Sequence, residues 1–277
     1  MLDAAPFALD GRAWAWPAPT REPHVGQEPE TTGLSKAPEV TLLFWVIKIA
    51  ATTLGETGGD SVSMSMGLGY LIGTAIFGTL FVALVSAQIF SKRFHPFLYW
   101  ATIIASTTVG TTLADYATRE IGIGYAGGSL LLLALLLASL GSWYLTLGTI
   151  SFRSIRSPKS EWFYWMTITF SQTLGTALGD WTADTAGLGY EGAAAIFLVA
   201  LACVVFAYYR TKISVAILFW VAFVLTRPLG AAVGDLLDKP LAEGGLALSR
   251  YVASGVLLAF IIACIAIFPQ RAAAQSH

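Results

Sequence analysis

The chain has 277 residues, is 56% hydrophobic and only 12% charged, and carries a formal net charge of −1; its mean hydropathy is +0.68. Soluble domains carry about 25% charged residues, so this chain lacks the polar surface to face water all round, which excludes a soluble globular protein. No basic patch suits nucleic acid.

Residues 1–38 are rich in Pro, Glu and Thr, carry Trp14 and Trp16, and hold no apolar core long enough for a signal peptide. They read as a disordered N-terminal tail or as an overlong translation start. Eight hydrophobic segments follow in chain order, at 41–59, 68–90, 97–114, 124–150, 162–179, 188–209, 214–234 and 247–268. A helix needs about 20 residues to cross about 30 Å of hydrocarbon, so each segment predicts one transmembrane helix. Cys203 and Cys264 sit in apolar spans and read as small buried hydrophobes. His24, His95 and His277 fall outside the spans, which leaves no imidazole in the membrane for metal ligation or proton relay.

One pattern recurs along these segments. Trp45, Trp100, Trp165 and Trp220 each follow a Phe or Tyr, and fifteen positions after them stand Asp60, Asp115, Asp180 and Asp235. Five residues before each Asp is a glycine (Gly55, Gly110, Gly175, Gly230), and directly before it is Gly59, Ala114, Gly179 or Gly234. The first three copies continue into GLGY, GIGY and GLGY, ending at Tyr70, Tyr125 and Tyr190. The chain is therefore a fourfold tandem repeat: repeat 1 at 39–92, repeat 2 at 93–157, repeat 3 at 158–212, repeat 4 at 213–270, then a C-terminal tail at 271–277.

The tryptophans, Gly-Asp steps and GLGY turns resemble a family of bacterial membrane proteins built from four tandem two-span repeats of unknown function, each with one characteristic tryptophan. The resemblance covers residues 41–268 and implies architecture, not activity. The fourth copy departs from it, with EGGLALSRY in place of the GLGY tyrosine, so equal roles for the four copies do not follow.

Two spans per repeat bring every copy into the membrane in the same direction. The expected fold is an all-α membrane protein of eight transmembrane helices, arranged as four parallel tandem helical hairpins with pseudo-fourfold symmetry. The small-x-x-x-small steps at Gly55, Gly110, Gly175 and Gly230 allow close backbone approach in lipid. They place the first helix of each repeat inside and the second outside. Loops between repeats hold Lys92, Arg93, Arg153, Arg156, Lys159, Arg210 and Lys212; loops within repeats hold Arg119 and Lys239, with Arg250 near a helix start. By the positive-inside rule the between-repeat side and both termini are cytoplasmic, in a bacterial inner membrane, and the Asp residues lie toward the outer face. The tryptophans then read as an interfacial belt and the GLGY segments as tight outer turns.

An ionisable group in the membrane is costly and marks function by default, although Gly-Asp is also ordinary turn chemistry. Seven and four positions before each Asp stand Thr53 and Glu56, Thr108 and Thr111, Thr173 and Thr176, then Pro228 and Ala231. In three copies this makes a polar stripe that reads as a hydrophilic pathway. Lys48 and Arg227 add intramembrane cations, for which Glu56 is the obvious partner. The candidate cation-binding set is Glu56, Asp60, Asp115, Asp180, Asp184 and Asp235. Arg119 and Lys239 each follow their own repeat's Asp by four residues, so Asp115 and Asp235 read as neutralised. Glu56, Asp60, Asp180 and Asp184 then remain as the metal ligands.

Oxygen ligands without His or intramembrane Cys suit hard cations such as Mn²⁺, Mg²⁺, Ca²⁺ or protons. The functional reading is a transporter of a small cation, with Mn²⁺ export driven by an ion gradient as the favoured form and protons as coupling ion. A passive cation channel and a non-transporting scaffold or sensor are the alternatives. Enzymatic activity is not expected. An intramembrane aspartyl protease needs Gly-x-Gly-Asp, and Thr57-Gly-Gly-Asp60 and Ala177-Leu-Gly-Asp180 lack the first glycine. The expected partners are the lipid bilayer and the cation; no organic cofactor is implied.

Overall fold

The computed structural model describes residues 35–150, 155 and 157–273. Eight α-helices follow one another, with no sheet among the described residues: α1 Leu42–Asp60, α2 Gly69–Phe90, α3 Pro96–Asp115, α4 Tyr125–Leu147, α5 Pro158–Asp180, α6 Gly189–Arg210, α7 Val215–Asp238 and α8 Arg250–Ile267. Local chemistry sets their starts. The Thr41 hydroxyl accepts from the Phe44 N–H at the head of α1, proline opens α3 and α5, and Ser157 and Ser160 form a capping box before α5.

The odd-numbered helices form a closed inner ring, α1–α3–α5–α7 and back to α1. Each even-numbered helix packs against the inner helix of the next repeat: α2 on α3, α4 on α5, α6 on α7 and α8 on α1. Six helices (α2, α3, α4, α6, α7, α8) are long and apolar enough to cross a membrane. α1 and α5 fall below that hydropathy because they carry Lys48, Glu56 and Asp60, or Lys159, Glu161, Gln172 and Asp180. They run the same course as their neighbours. Tyr99 and Tyr164 bond hydroxyl to hydroxyl at 2.6 Å near one end of the α3–α5 pair, and Arg119 reaches Asp180 at the other.

Glycine makes the ring close. A Cβ at Gly55 would strike Thr107 of α3, one at Gly110 would strike Gln172 of α5, one at Gly175 Arg227 of α7, and one at Gly230 Thr52 of α1. Every inner helix thus receives a side chain of the next in the hollow left by its missing Cβ.

Four side chains per level stack along the ring. The line on each inner helix steps by four residues: Phe44, Lys48, Thr52, Glu56, Asp60 on α1; Tyr99, Ile103, Thr107, Thr111, Asp115 on α3; Tyr164, Ile168, Gln172, Thr176, Asp180 on α5; Phe219, Phe223, Arg227, Ala231, Asp235 on α7. All twenty are buried. The aromatic level packs ring on ring with the tryptophans; Trp100 is fully buried and Trp165 and Trp220 nearly so. The interfacial-belt reading of these residues is therefore corrected: edge-to-face aromatic packing holds three of them inside.

After the Asp, repeats 1 to 3 pass through five residues of π-helix, Ser61–Ser65, Tyr116–Glu120 and Trp181–Thr185. The GLGY turns follow, with Gly67 and Gly69 at φ +67° and +77° in the left-handed region that favours glycine. Repeat 4 has neither feature; α7 runs on to Asp238 and ends at Lys239 and Pro240.

Residues 1–34 of the expected tail lie outside the described residues. Ser35 to Pro38 are docked instead: Pro38 pairs with Ala272, and Lys36 Nζ donates to the carbonyls of Gln88 and Ile89 and pairs with Glu161 at 2.5 Å. The tail boundary drawn at residue 38 moves back accordingly.

Candidate metal centre

The four aspartates end their inner-helix lines at one end of the ring, each at most 3% exposed. Capping does not explain them. Asp60, Asp115 and Asp180 stand ahead of the π-helical turns without a side-chain hydrogen bond to those turns, and Asp235 lies inside α7.

Basic groups bridge the acids across repeats. Arg119 Nε lies 3.0 Å from Asp115 Oδ1 and its Nη2 3.1 Å from Asp180 Oδ2. Lys239 Nζ lies 2.6 Å from Asp60 Oδ2 and 3.0 Å from Asp235 Oδ1. The expectation that Arg119 and Lys239 neutralise only their own repeat's Asp is thus corrected. Adjacent inner helices bring a second Asp to the same base, and Asp60 and Asp180 are paired as fully as Asp115 and Asp235. Arg250, at the head of α8, adds contacts of 3.1 Å to Asp238 Oδ2 and 3.9 Å to Asp60 Oδ2.

One level deeper, Arg227 fills the ring. Its Nη2 meets Glu56 Oε2 at 3.0 Å, the hydroxyls of Thr111 at 2.5 Å and Thr176 at 2.6 Å, and the Thr107 carbonyl at 3.4 Å. Glu56 therefore partners Arg227. Among the described residues Lys48 has no acid beside it: its amine sits 4.2 Å from the centre of the Phe223 ring, level with Ile103 and Ile168.

The polar stripe divides. Thr111 and Thr176 share the level of Glu56 and meet the tip of the Arg227 side chain, which reaches them from the adjacent level. Thr53, Thr108 and Thr173 are buried, but their hydroxyls bond back to carbonyls of their own helices, Ile49, Ile104 and Thr169. Thr52, Thr107, Gln172 and Arg227, one position earlier, make the inner-ring level. Asp184 stands apart; it is exposed, and Tyr125 Oη donates to it at 3.3 Å.

Three trios of acids each bring one carboxylate oxygen within 4.8 Å of the other two: Glu56, Asp60 and Asp115; Glu56, Asp180 and Asp235; Asp60, Asp235 and Asp238. Within them Oδ1 of Asp60, Asp180 and Asp238 is buried without a hydrogen-bond partner. The Oδ1 atoms of Asp115 and Asp235 have a base at ion-pair distance but not in hydrogen-bond alignment. Six carboxylates (Glu56, Asp60, Asp115, Asp180, Asp235, Asp238) face four bases (Arg119, Arg227, Lys239, Arg250). Buried oxygens with lone pairs to spare and an excess of negative charge make a donor set for a hard cation.

The stretches 43–94, 98–149, 163–214 and 218–269 each match a repeat described as Repeat of Unknown Function (DUF347). The chain belongs to this family. No curated protein and no solved structure matches it. In DUF347 terms the acids, the glycine pockets and the four-residue lines recur in every copy, whereas Glu56, Arg227 and Asp238 are each particular to one, and a base four residues after the Asp is shared by repeats 2 and 4 as Arg119 and Lys239. Asp238 went unnoticed in the sequence, where it looks like loop chemistry. Setting the copies against one another would have found it, since Ser63, Thr118 and Ala183 hold that place elsewhere.

Proposed function

We propose that this protein is a membrane carrier of a small hard cation, and specifically an exporter of divalent metal, Mn²⁺ foremost, driven by an ion gradient. The observation that carries the reading is the buried ring of carboxylates with unpartnered oxygens and fewer bases than acids. Intramembrane charge of this kind is retained for ion pathways and coupling. An enzyme is not our reading, because among the described residues no nucleophile–base pair accompanies the acids.

A carrier suits the arrangement better than an open channel. The Arg227–Glu56 level and the Lys48, Ile103, Ile168 and Phe223 level below it occupy the middle of the ring. Passage requires that they rearrange. In proteoliposomes, Mn²⁺ flux should saturate and respond to ΔpH. Asp60→Asn should abolish it at normal yield, while Asp184→Asn, outside the ring, should leave most of it. Normal flux in all four Asp→Asn variants would remove the main support for transport.

Orientation is tested separately. We place the between-repeat loops and both termini in the cytoplasm, on the distribution of Lys and Arg. Met66 and Ala186 are exposed in within-repeat loops and Ser157 in a between-repeat loop. Cysteines at Met66 and Ala186 should react with an impermeant thiol reagent in intact cells, and one at Ser157 should not. The reverse pattern would turn the carrier over.

A further inference from the structure

We propose that the transported cation binds on the α1–α7 side of the ring, to Asp60, Asp235 and Asp238, and that Lys239 is a tethered occupant which the cation displaces. The inference rests on the cation reading above. It concerns which of the acid trios is used and what holds it between cargoes.

Fourth-repeat chemistry singles out this side. Asp238 is the acid that no other repeat carries at that place, and it turns a shared pair of aspartates into a trio. The Lys239 amine sits between two members of the trio, 2.6 Å from Asp60 and 3.0 Å from Asp235, while Arg250 holds the third, Asp238, at 3.1 Å. It leaves Oδ1 of both Asp60 and Asp238 without a hydrogen-bond partner. An ammonium has three donors; a divalent ion takes about six or more oxygen ligands and would use the oxygens the amine leaves idle. Charge agrees. With Lys239 in place, three carboxylates face Lys239 and Arg250. With its side chain withdrawn they face Arg250 alone, and the two surplus charges match one divalent ion.

Only the side chain need move. The Lys239 N–H donates to the Asp235 carbonyl at 2.9 Å, and its own carbonyl accepts from the Ala247 N–H at 2.9 Å. Gly245 lies so close that a Cβ there would strike the Lys239 carbonyl. The α3–α5 side is built differently. Its two aspartates find a further acid in Glu56, which is already paired with Arg227, and Arg119 forks between them while lying 5.7 Å from the centre of the Tyr125 ring. A planar guanidinium in such a clamp is a poor leaving cation.

Met64 bears on the choice of metal. Its Sδ is 3.9 Å from the Lys239 amine, beside the point the cation would take. Carboxylates with one thioether favour a first-row ion such as Mn²⁺ over Mg²⁺ or Ca²⁺.

Calorimetric titration of the purified full-length protein with MnCl₂ tests this. Removing a competing occupant raises apparent affinity by the reciprocal of the fraction of time the site stands free, so Lys239→Gln should bind Mn²⁺ about tenfold or more tightly. Asp238→Asn should lose binding, and Arg119→Gln should change it far less than Lys239→Gln does. Met64→Leu should narrow the preference for Mn²⁺ over Ca²⁺. If the wild type binds Mn²⁺ and a folded Lys239→Gln variant binds it no more tightly, the tethered-occupant proposal falls and the carrier reading stands. If neither binds Mn²⁺, both fall.

Discussion

Replacing Glu56 by glutamine should cause the largest loss of stability of any single charge removal in this protein. Its carboxylate is what the fully buried Arg227 pairs with at 3.0 Å. Removing one partner of a buried ion pair costs about 3–5 kcal/mol, because the other charge stays behind uncompensated. The remaining contacts of Arg227, to the hydroxyls of Thr111 and Thr176 and to backbone carbonyls, are neutral and do not replace the lost charge. Glu56→Gln should therefore melt at markedly lower temperature and accumulate poorly. The double variant Glu56→Gln/Arg227→Gln should recover most of the loss, since it leaves no uncompensated charge from the pair in the ring. Thermal melting of the two variants and of Arg227→Gln closes the cycle. Equal melting of Glu56→Gln and the wild type would mean that the pair is not needed to hold the ring. A double variant that is stable yet transports nothing would mean that the pair gates the pathway.

Gly230→Leu should be nearly as damaging, for a steric reason. A Cβ at Gly230 already lies 2.9 Å from the Thr52 backbone carbon, which no side-chain rotation relieves. Overpacking a well-filled core costs about 1–3 kcal/mol, occasionally more, and here the whole α1–α7 seam would have to part. That seam also holds Lys239 against Asp60, so loss of Mn²⁺ binding should accompany loss of yield. Leu133→Val on α4, where the side chain is 42% exposed, is the control; surface changes of this kind stay within about 0.5 kcal/mol. Normal accumulation of Gly230→Leu, measured by fluorescence-detected size exclusion, would contradict the close approach of α7 to α1.

The candidate site was half legible. The four aspartates stand out because the repeat aligns them, but the inequality expected from Arg119 and Lys239 does not hold, because each base pairs with two of them. The partners were not legible. Reading the chain locally pairs Arg119 with Asp115 and Lys239 with Asp235, four residues away in each case. It cannot see that Asp180 and Asp60 arrive at the same bases from 61 and 179 residues away. Thr53, Thr108 and Thr173 were preferred to Thr52, Thr107 and Gln172 because a three-then-four spacing was assumed. The observed step of four drifts around a helix by about 40° each time, and whether a helix presents that drifting line depends on how its neighbours are inclined.

The sequence by itself determined the class, the helix count, the fourfold repeat and the small-residue seams. Each follows from composition or from a local spacing that lipid enforces, since every backbone polar group must be satisfied within its own helix. Only the tertiary structure decided which faces turn inward, which base holds which acid, and that three of the repeat tryptophans are core rather than belt. The reason is physical. In water an inward face announces itself by being apolar against a polar exterior, but in lipid the inside and the outside of a helix are both apolar. Helix orientation is then set by close packing against partners tens to hundreds of residues away. In this ring those partners are Thr107 in the hollow at Gly55 and Thr52 in the hollow at Gly230.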